Sequence, residues 1–529
     1  MVDVPQQTSS LSRDRYVVLL ILGVILAVGG VLRFYRLDLN SLWIDECFTY
    51  LSTTGTQFRG YMAVPPNVII EHPPQLTDPA HAKPWWQVLR PDTQDIHPPL
   101  YFFLLRLWAS VVGWSAVQLR AFSILMSLIG IALLFAVVRE LSGNFSGLWA
   151  ATIMAVAQPQ VDLARDARPY TMMVALALAT TWALVRIEKH GLNRRRLVAL
   201  AIGSLALPLT HYFGIFVDAT LVVYATLRLR DKNRRAALGA CIGAMALFLI
   251  AWGPVLYLQA HGVSGRGIEI FHDTEPHHFI QTFARLALMP ARYLYEPLPN
   301  SLFLSMGLAI LYVLPWMLHR RRPDLLLWAL WIPINFLPSL LVDLTHHTFS
   351  LEIDRYTFPA SVGVYALLSA LCRDLPLRLR NALPAIAVAG CLIHLQQAYS
   401  TFGRTRQDWR KFAEQYHELA KPGCLTIFPS KQNDYVHYLC LGEYVSPLPG
   451  PALILTAPPS AQMVEQIRSF HNVVIVGAAP LVQQFFPRAS IQDIRQIQFI
   501  GTIWQLRFAP QPTTRQTFAE PPHLPRSTP

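Results

Sequence analysis

Apolar stretches long enough to cross a bilayer recur down most of the chain, and short arginine-rich segments separate many of them. A hydrocarbon core about 30 Å thick takes about 20 helical residues, and 16–32 is the first stretch of that kind. Further runs cover 121–138, 145–159, 170–187 and 236–258. Two more meet at Thr210-His211-Tyr212-Phe213-Gly214, two flank the basic segment 319–322, and two flank 373–380. The stretch 100–114 is ambiguous, because it is apolar but short and carries Arg106 near its middle. If it crossed the bilayer, the basic segments 188–196, 228–235, 319–322 and 373–380 would all lie outside, against the positive-inside bias. A central arginine also costs about 2.5–3.5 kcal/mol on the insertion scale. The pattern therefore predicts a surface helix at 100–114 with Arg106 toward the headgroups. It predicts about eleven spanning helices, with residues 1–15 in the cytoplasm and the C-terminus outside.

Beyond residue 400 the pattern changes. Short apolar runs at 424–428, 452–455, 472–477 and 499–508 alternate with polar, helix-compatible stretches such as 460–470. That alternation predicts a small α/β domain over 401–510 outside the cytoplasm. Residues 511–529, rich in Pro and Thr, read as a disordered tail. The expected fold class is mainly α: a polytopic membrane domain over 16–400, surface helices in a first external loop at 33–119, and the α/β domain.

Composition agrees. The chain has 529 residues, 53% hydrophobic and 14% charged, against about 25% charged in soluble domains. The net charge of +12 follows from the loop arginines, so it gives no reason to invoke nucleic acid. The run at 16–32 lacks a small-residue cleavage site and reads as a retained span. The six cysteines form no CxxC pair, which leaves zinc and thioredoxin-type sites without support. Cys424 and Cys440 would be able to pair in an oxidising compartment. No Walker loop or Gly-rich nucleotide loop is present.

The candidate chemistry gathers on the predicted outer face. Ser41 to Tyr50, SLWIDECFTY, sets Asp45 and Glu46 among aromatics, where desolvation makes ionised carboxylates costly. The same face carries His97, Arg165, Asp166, Arg168, His211, Asp354 and Arg355. Carboxylates beside arginines suit an anionic headgroup and a reacting hydroxyl, since guanidinium binds phosphate through a planar fork and a carboxylate takes a proton. Plainer roles exist for each: His97 before Pro98-Pro99 as a helix start, Arg165 and Arg168 as snorkelling cations with Asp166 as their ion-pair partner, and His211 satisfying a backbone group in a turn.

Four motifs in order, LWIDE, HPPLYFFLLRLW, ARDARPY and DRYTFPA, resemble those of the GT-C membrane glycosyltransferases. The pattern is similar to the aminoarabinose transferases of lipid A and the dolichyl-phosphate-mannose protein mannosyltransferases. DWRKFAEQYHELAKPGCLTIFPS resembles the opening of the external C-terminal domain of bacterial members. The resemblance implies a GT-C-like fold in a bacterial cytoplasmic membrane. It also implies a polyprenyl-phosphate-linked sugar donor and a lipid, glycan or protein acceptor, with no nucleic acid. It makes Asp45 the essential carboxylate and Glu46 its companion. His97 takes the place of the basic residue before the double proline, where relatives can have Lys. Asp166 and Arg168 fall where relatives place cavity residues, and Arg355, followed by Tyr356, becomes the candidate for the lipid phosphate, with Arg165, Arg168 and His97 as further candidates. His211 is a cavity candidate. Some relatives use a divalent metal at the acidic loop, so Mg²⁺ or Mn²⁺ at Asp45 and Glu46 is the cofactor to test, although two adjacent carboxylates are too few to assign one. The mechanism expected is an inverting displacement. The rival readings are a lipid-linked-glycan transporter, weakened by the scarcity of mid-span charges other than Asp218, and a non-catalytic membrane scaffold.

Overall fold

The computed structural model describes residues 7–61, 63–262, 278–294, 308–400, 407–430, 436–477, 479–486, 490–497 and 501–507. The chain divides into two units. The larger holds residues 1–64, 75–410 and 442–444; the smaller holds 65–74, 411–441 and 445–529.

The larger unit is helical. In chain order its first helices are α1 (Gln7–Phe34), α2 (Ile44–Thr53), α3 (Gln57–Tyr61), α4 (Leu100–Val112), α5 (Ala116–Ser142), α6 (Asn144–Val156), α7 (Gln158–Ala164), α8 (Tyr170–His190), α9 (Arg194–Thr210), α10 (Gly214–Arg228) and α11 (Asp231–Gly262). They are followed by α12 (His278–Arg292), α13 (Ile310–Leu318), α14 (Leu326–His346), α15 (Asp354–Cys372) and α16 (Leu377–Ser400). Among the described residues six helical stretches are long and apolar enough to cross a membrane: Asp14–Phe34, Ala116–Ser142, Tyr170–His190, Asp231–His261, Pro323–His346 and Leu377–Ser400. The chain is thus a mainly helical membrane protein.

Local chemistry sets several of the boundaries. Helix α5 opens with a full capping box: Gln118 N–H donates to Ser115 Oγ at 3.3 Å, and Ser115 N–H donates to Gln118 Oε1 at 2.9 Å, which satisfies two orphan donors at once. The single run expected at 145–159 is broken at Ala157, which is extended, with Pro159 in the first turn of α7. Helix α6 has 13 residues and so rises only about 20 Å. The turn that follows α7 is consequently enclosed by protein, with Arg165, Asp166 and Arg168 all 3% exposed or less. Helices α8 and α9 approach closely, since a Cβ on Gly203 would stand 2.1 Å from Thr180 Oγ1. Arg33, in the last turn of α1, is fully buried. It donates to Ser127 Oγ at 2.9 Å and to Ala155 O at 2.8 Å, tying α1 to α5 and α6. A buried charge in a span is tolerated only with such partners.

Helix α4 forms where a surface helix was expected. It buries Tyr101, Phe102, Leu105 and Ala109 along one face at the helical spacing. Arg106 lies over the Trp114 ring at 4.8 Å and donates to Lys83 O at 3.2 Å. Residues 263–277, 295–307 and the tail expected at 511–529 lie outside the described residues.

The smaller unit is a mixed sheet with helices. Its described strands are β1 (Ile69–Ile70), β2 (Leu425–Pro429), β3 (Ala452–Leu455), β4 (Val473–Gly477), β5 (Ser490–Ile497) and β6 (Gly501–Arg507), in the order β1-β3-β2-β4-β6-β5. The central β3-β2-β4 pairs are parallel, and the outer pairs are antiparallel. The three central strands are buried along their whole length, which explains their unbroken apolar sequence. Strand β1 comes from the Pro-rich insert of the first loop and pairs Ile69 with Leu453. Cys424 and Cys440, considered as a pair from sequence, are both free and buried.

Candidate functional site

Asp45 and Glu46 are consecutive on the first turn of α2, so their side chains leave the helix about 100° apart. That rotation gives them different environments. Glu46 is fully buried against Arg120 of α5. Arg120 donates from Nε to Glu46 Oε1 at 2.8 Å and from Nη2 to Oε2 at 2.6 Å. Its other donors reach Ser41 O at 3.0 Å, Leu37 O at 3.1 Å and Asn40 O at 2.9 Å. All five guanidinium N–H groups are thereby used. Glu46 also accepts from Ala167 N–H at 3.0 Å and from Trp43 N–H at 3.4 Å. The knot joins the chain after α1 to α2, α5 and the α7–α8 turn. A buried ion pair is tolerable only when satisfied to this degree.

Asp45 faces an opening. Its side chain is 22% exposed, and its Oδ2 lies 3.9 Å from Arg168 Nη2 and 4.0 Å from Arg355 Nη1. Both ion pairs are longer than hydrogen bonds. Arg168, from the α7–α8 turn, donates through Nη1 to Asp45 O at 3.0 Å and to Thr49 Oγ1 at 3.3 Å. Its Nη2 lies 2.7 Å from His97 Nε2. The other ring nitrogen, His97 Nδ1, is 2.8 Å from Asp95 Oδ1. Arg355, in the first turn of α15, sits over the Trp43 ring at 5.6 Å and the Tyr356 ring at 5.2 Å, a placement that favours a cation.

The structure therefore brings Asp45, Arg168, Arg355, Tyr356 and His97 together. His211 joins them from the α9–α10 turn. Its Nδ1 accepts from Phe213 N–H at 3.2 Å, and its ring is 6.1 Å from His97 and 5.6 Å from Tyr170. Burial first, with the charge of Arg168 adding to it, pushes its imidazole well below the usual histidine range, so it stays neutral. Burial would raise Asp95, but its contacts with His97, side chain and backbone, and the charge of Arg168 hold its carboxyl below the usual range.

Two residues named as site candidates have other work. Arg165 points back to the end of α1, donating to Arg33 O at 3.2 Å, Tyr35 O at 2.6 Å and Arg36 O at 3.1 Å. Those carbonyls lie at and just past the end of α1, where backbone oxygens need donors from outside the helix, so this geometry caps a helix instead of facing Asp45. Asp166 is 2% exposed, and its charge bears on Arg120. Glu46, expected as a companion acid, is committed to the same knot. The pair consequently does not fit a shared divalent cation, because only Asp45 has an accessible carboxylate. Among the described residues no group of three or more His, Cys, Asp and Glu is arranged around one point.

Sequence reasoning missed Arg120, Asp95 and Thr49. Arg120 directly precedes an apolar run and reads as an interfacial anchor. The available signal was its side: a lone arginine at what the sequence makes the outer end of a run goes against the orientation bias.

Residues 96–257 match the family model described as dolichyl-phosphate-mannose-protein mannosyltransferase. That segment includes His97, Arg120, Arg168 and His211, but neither Asp45 nor Arg355. The chain is similar to the crystal structure of ArnT from Cupriavidus metallidurans bound to undecaprenyl phosphate, with 15% identity over 92% of this chain and 97% of that one, at a TM-score of 0.55. A weaker likeness links it to the Archaeoglobus fulgidus oligosaccharyltransferase tethered with an acceptor peptide, with 12% identity over 87% of this chain and 69% of that one, at a TM-score of 0.48. No curated protein sequence matches. The chain has the fold of the GT-C membrane glycosyltransferases. Within that class, its resemblance to the aminoarabinose and protein mannosyltransferase superfamily, first drawn from its motifs, holds.

Proposed function

We propose that this protein is a membrane glycosyltransferase that moves a sugar from a polyprenyl-phosphate carrier to an acceptor hydroxyl at the outer face of a bacterial cytoplasmic membrane. The observation that carries this reading is the open carboxylate of Asp45, set between Arg168 and Arg355 at 3.9 and 4.0 Å. A lone buried carboxylate would be a structural group. A partly exposed one flanked by two guanidiniums, neither locked onto it, can receive a phosphate and a hydroxyl together.

The proposed reaction is an inverting displacement. Asp45 orients the acceptor hydroxyl and takes its proton. The oxygen attacks the anomeric carbon from the face opposite the phosphate. The anomeric C–O bond breaks, and polyprenyl phosphate leaves with the electron pair. Arg355 and Arg168 stabilise the charge that builds on the departing phosphate oxygen.

This reading places about eleven helices across the membrane, with the N-terminus in the cytoplasm and residues 401–510 outside. Spans shorter than a full crossing, such as α6 with α7, would then be completed by a neighbouring segment. The undecaprenyl phosphate named with the ArnT structure makes that carrier class the first to offer.

The test is turnover in nanodiscs with a panel of polyprenyl-phosphate sugars, for the wild type and Asp45→Asn. Release of polyprenyl phosphate by the wild type alone is expected. Equal release by the variant overturns the assignment.

A further inference from the structure

The contact between His97 and Arg168 fixes more than position. Arg168 Nη2, 2.7 Å from His97 Nε2, belongs to a guanidinium that has donors and no acceptor and does not lose its proton. His97 Nε2 must therefore be the acceptor. A neutral imidazole with a bare Nε2 carries its proton on Nδ1, and that nitrogen faces Asp95 Oδ1 at 2.8 Å. The donor–acceptor order is thus settled along the whole row: His97 Nδ1–H to Asp95, and Arg168 Nη2–H to His97. Arg168 in turn holds the backbone carbonyl of Asp45 at 3.0 Å.

Asp95 is held firmly in place. Its Oδ1 also accepts from His97 N–H at 3.0 Å, and its Oδ2 accepts from Ser52 Oγ at 3.4 Å. It is 7% exposed. Its backbone carbonyl is held by Gln259 of α11, which also binds Asp92 O at 2.9 Å. The loop that carries Asp95 and His97 is therefore braced from α2 and from α11.

We propose that Asp95, acting through His97, is the positioning residue that aims Arg168 at Asp45. The proposal rests on the glycosyltransferase reading of the site and departs from a simple basic residue at position 97. A cation at that position would face an obligate donor, whereas an acceptor there holds the guanidinium in place.

Substitutions at 97 separate the two roles. Gln accepts from Arg168, donates to Asp95 and does not titrate. Lys supplies a cation and cannot accept. For release of polyprenyl phosphate in nanodiscs, His97→Gln is expected to exceed His97→Lys by roughly tenfold or more, the loss typical of an unmade charge-assisted hydrogen bond. Asp95→Asn is expected to lower kcat with little change in KM. His97→Lys equal to or better than His97→Gln overturns the proposal, as does an Asp95→Asn variant with wild-type kcat. A readout independent of turnover is ¹⁵N NMR of the imidazoles, with the His97 signal assigned by its loss in His97→Gln. A protonated Nδ1 with a bare Nε2 at neutral pH supports the row, and a protonated Nε2 overturns it. If the wild type turns over no donor, the glycosyltransferase reading fails, and the NMR signal still decides the tautomer.

Discussion

Two acidic nodes one residue apart on α2 present opposite solutions to the same problem. Around Glu46, every donor of Arg120 is used, every carboxylate oxygen is occupied, and no surface is exposed. Around Asp45, two guanidiniums stand at 3.9 and 4.0 Å and the carboxylate is partly exposed. The first arrangement minimises the cost of burying charge. The second leaves electrostatic energy incompletely satisfied, and a ligand can complete it. Preorganised but unfilled charge of that kind is what a transferase needs where a phosphate leaves. The closed node also serves the open one. It fixes the α7–α8 turn through Ala167 N–H, and that turn carries Arg168.

The contrast can be broken most directly at Asp45. Asp45→Asn keeps the shape of the side chain and removes its basicity. Turnover is expected to fall by about 10²–10⁴-fold, the range of a general base. Yield and thermal midpoint in detergent should stay near those of the wild type. A variant that loses stability instead of activity would make Asp45 a second structural acid and dissolve the distinction.

The reverse experiment is Glu46→Gln, which leaves Arg120 buried without a counter-charge. A cost of about 3–5 kcal/mol is expected, read as a lowered denaturation midpoint and poor yield. Replacing both Glu46 and Arg120 with apolar residues should cost less than the sum of the two single changes, because the pair's own desolvation is removed with it. Strict additivity in that cycle would show that the knot works through the backbone carbonyls and not through the ion pair.

Arg355→Lys sharpens the open side. Lys retains the charge and loses the planar fork and the ring stacking. The expected loss is about 10–100-fold in kcat/KM for the lipid donor, as for one charge-assisted hydrogen bond, with the thermal midpoint unchanged. Steady-state kinetics on the same donor panel would measure it.

Much of this contrast was hidden in the sequence, for a definable reason. Apolar runs set the helical class, and the grouping of Asp45, His97, Arg168 and Arg355 on one expected face followed from loop charges, because burial of apolar surface and charge orientation are one-dimensional signals. The roles of Glu46 and Arg165 were not readable. Their partners are Arg120, 74 positions away, and the carbonyls at the end of α1, about 130 positions away, and only the packed fold selects such partners. The two acids look alike in LWIDE, and the helical rotation of about 100° that separates them is visible only once α2 is placed against α5. Strand β1 was missed for a related reason: two isoleucines in a Pro-rich insert carry no period, and their strand exists only as an edge added to β3.

Glu443 supplies the smallest test, and it probes the comparison from a third side. It lies outside the spans, in the part of the larger unit formed by residues 442–444. Thr77 Oγ1 donates to its carboxylate, but among the described residues no arginine answers it as Arg120 answers Glu46. Burial, only partly offset by that hydrogen bond and reinforced by the charge of Asp78, pushes its carboxyl up to about 7. A carboxyl whose pKa is raised on folding binds its proton more tightly in the folded state. Its contribution is therefore fully present below the ordinary glutamate pKa and fades as pH rises through about 7, because the unfolded chain then ionises more readily. The thermal midpoint of the wild type should accordingly drift down between about pH 4.5 and 7.5, on top of the changes shared by all variants. Glu443→Gln, which stays neutral and keeps an acceptor for Thr77, should remove that drift and leave a small net gain at the alkaline end. If the two curves run parallel, Glu443 is ionised and compensated like Glu46, and closure without a cation is not a third solution in this protein.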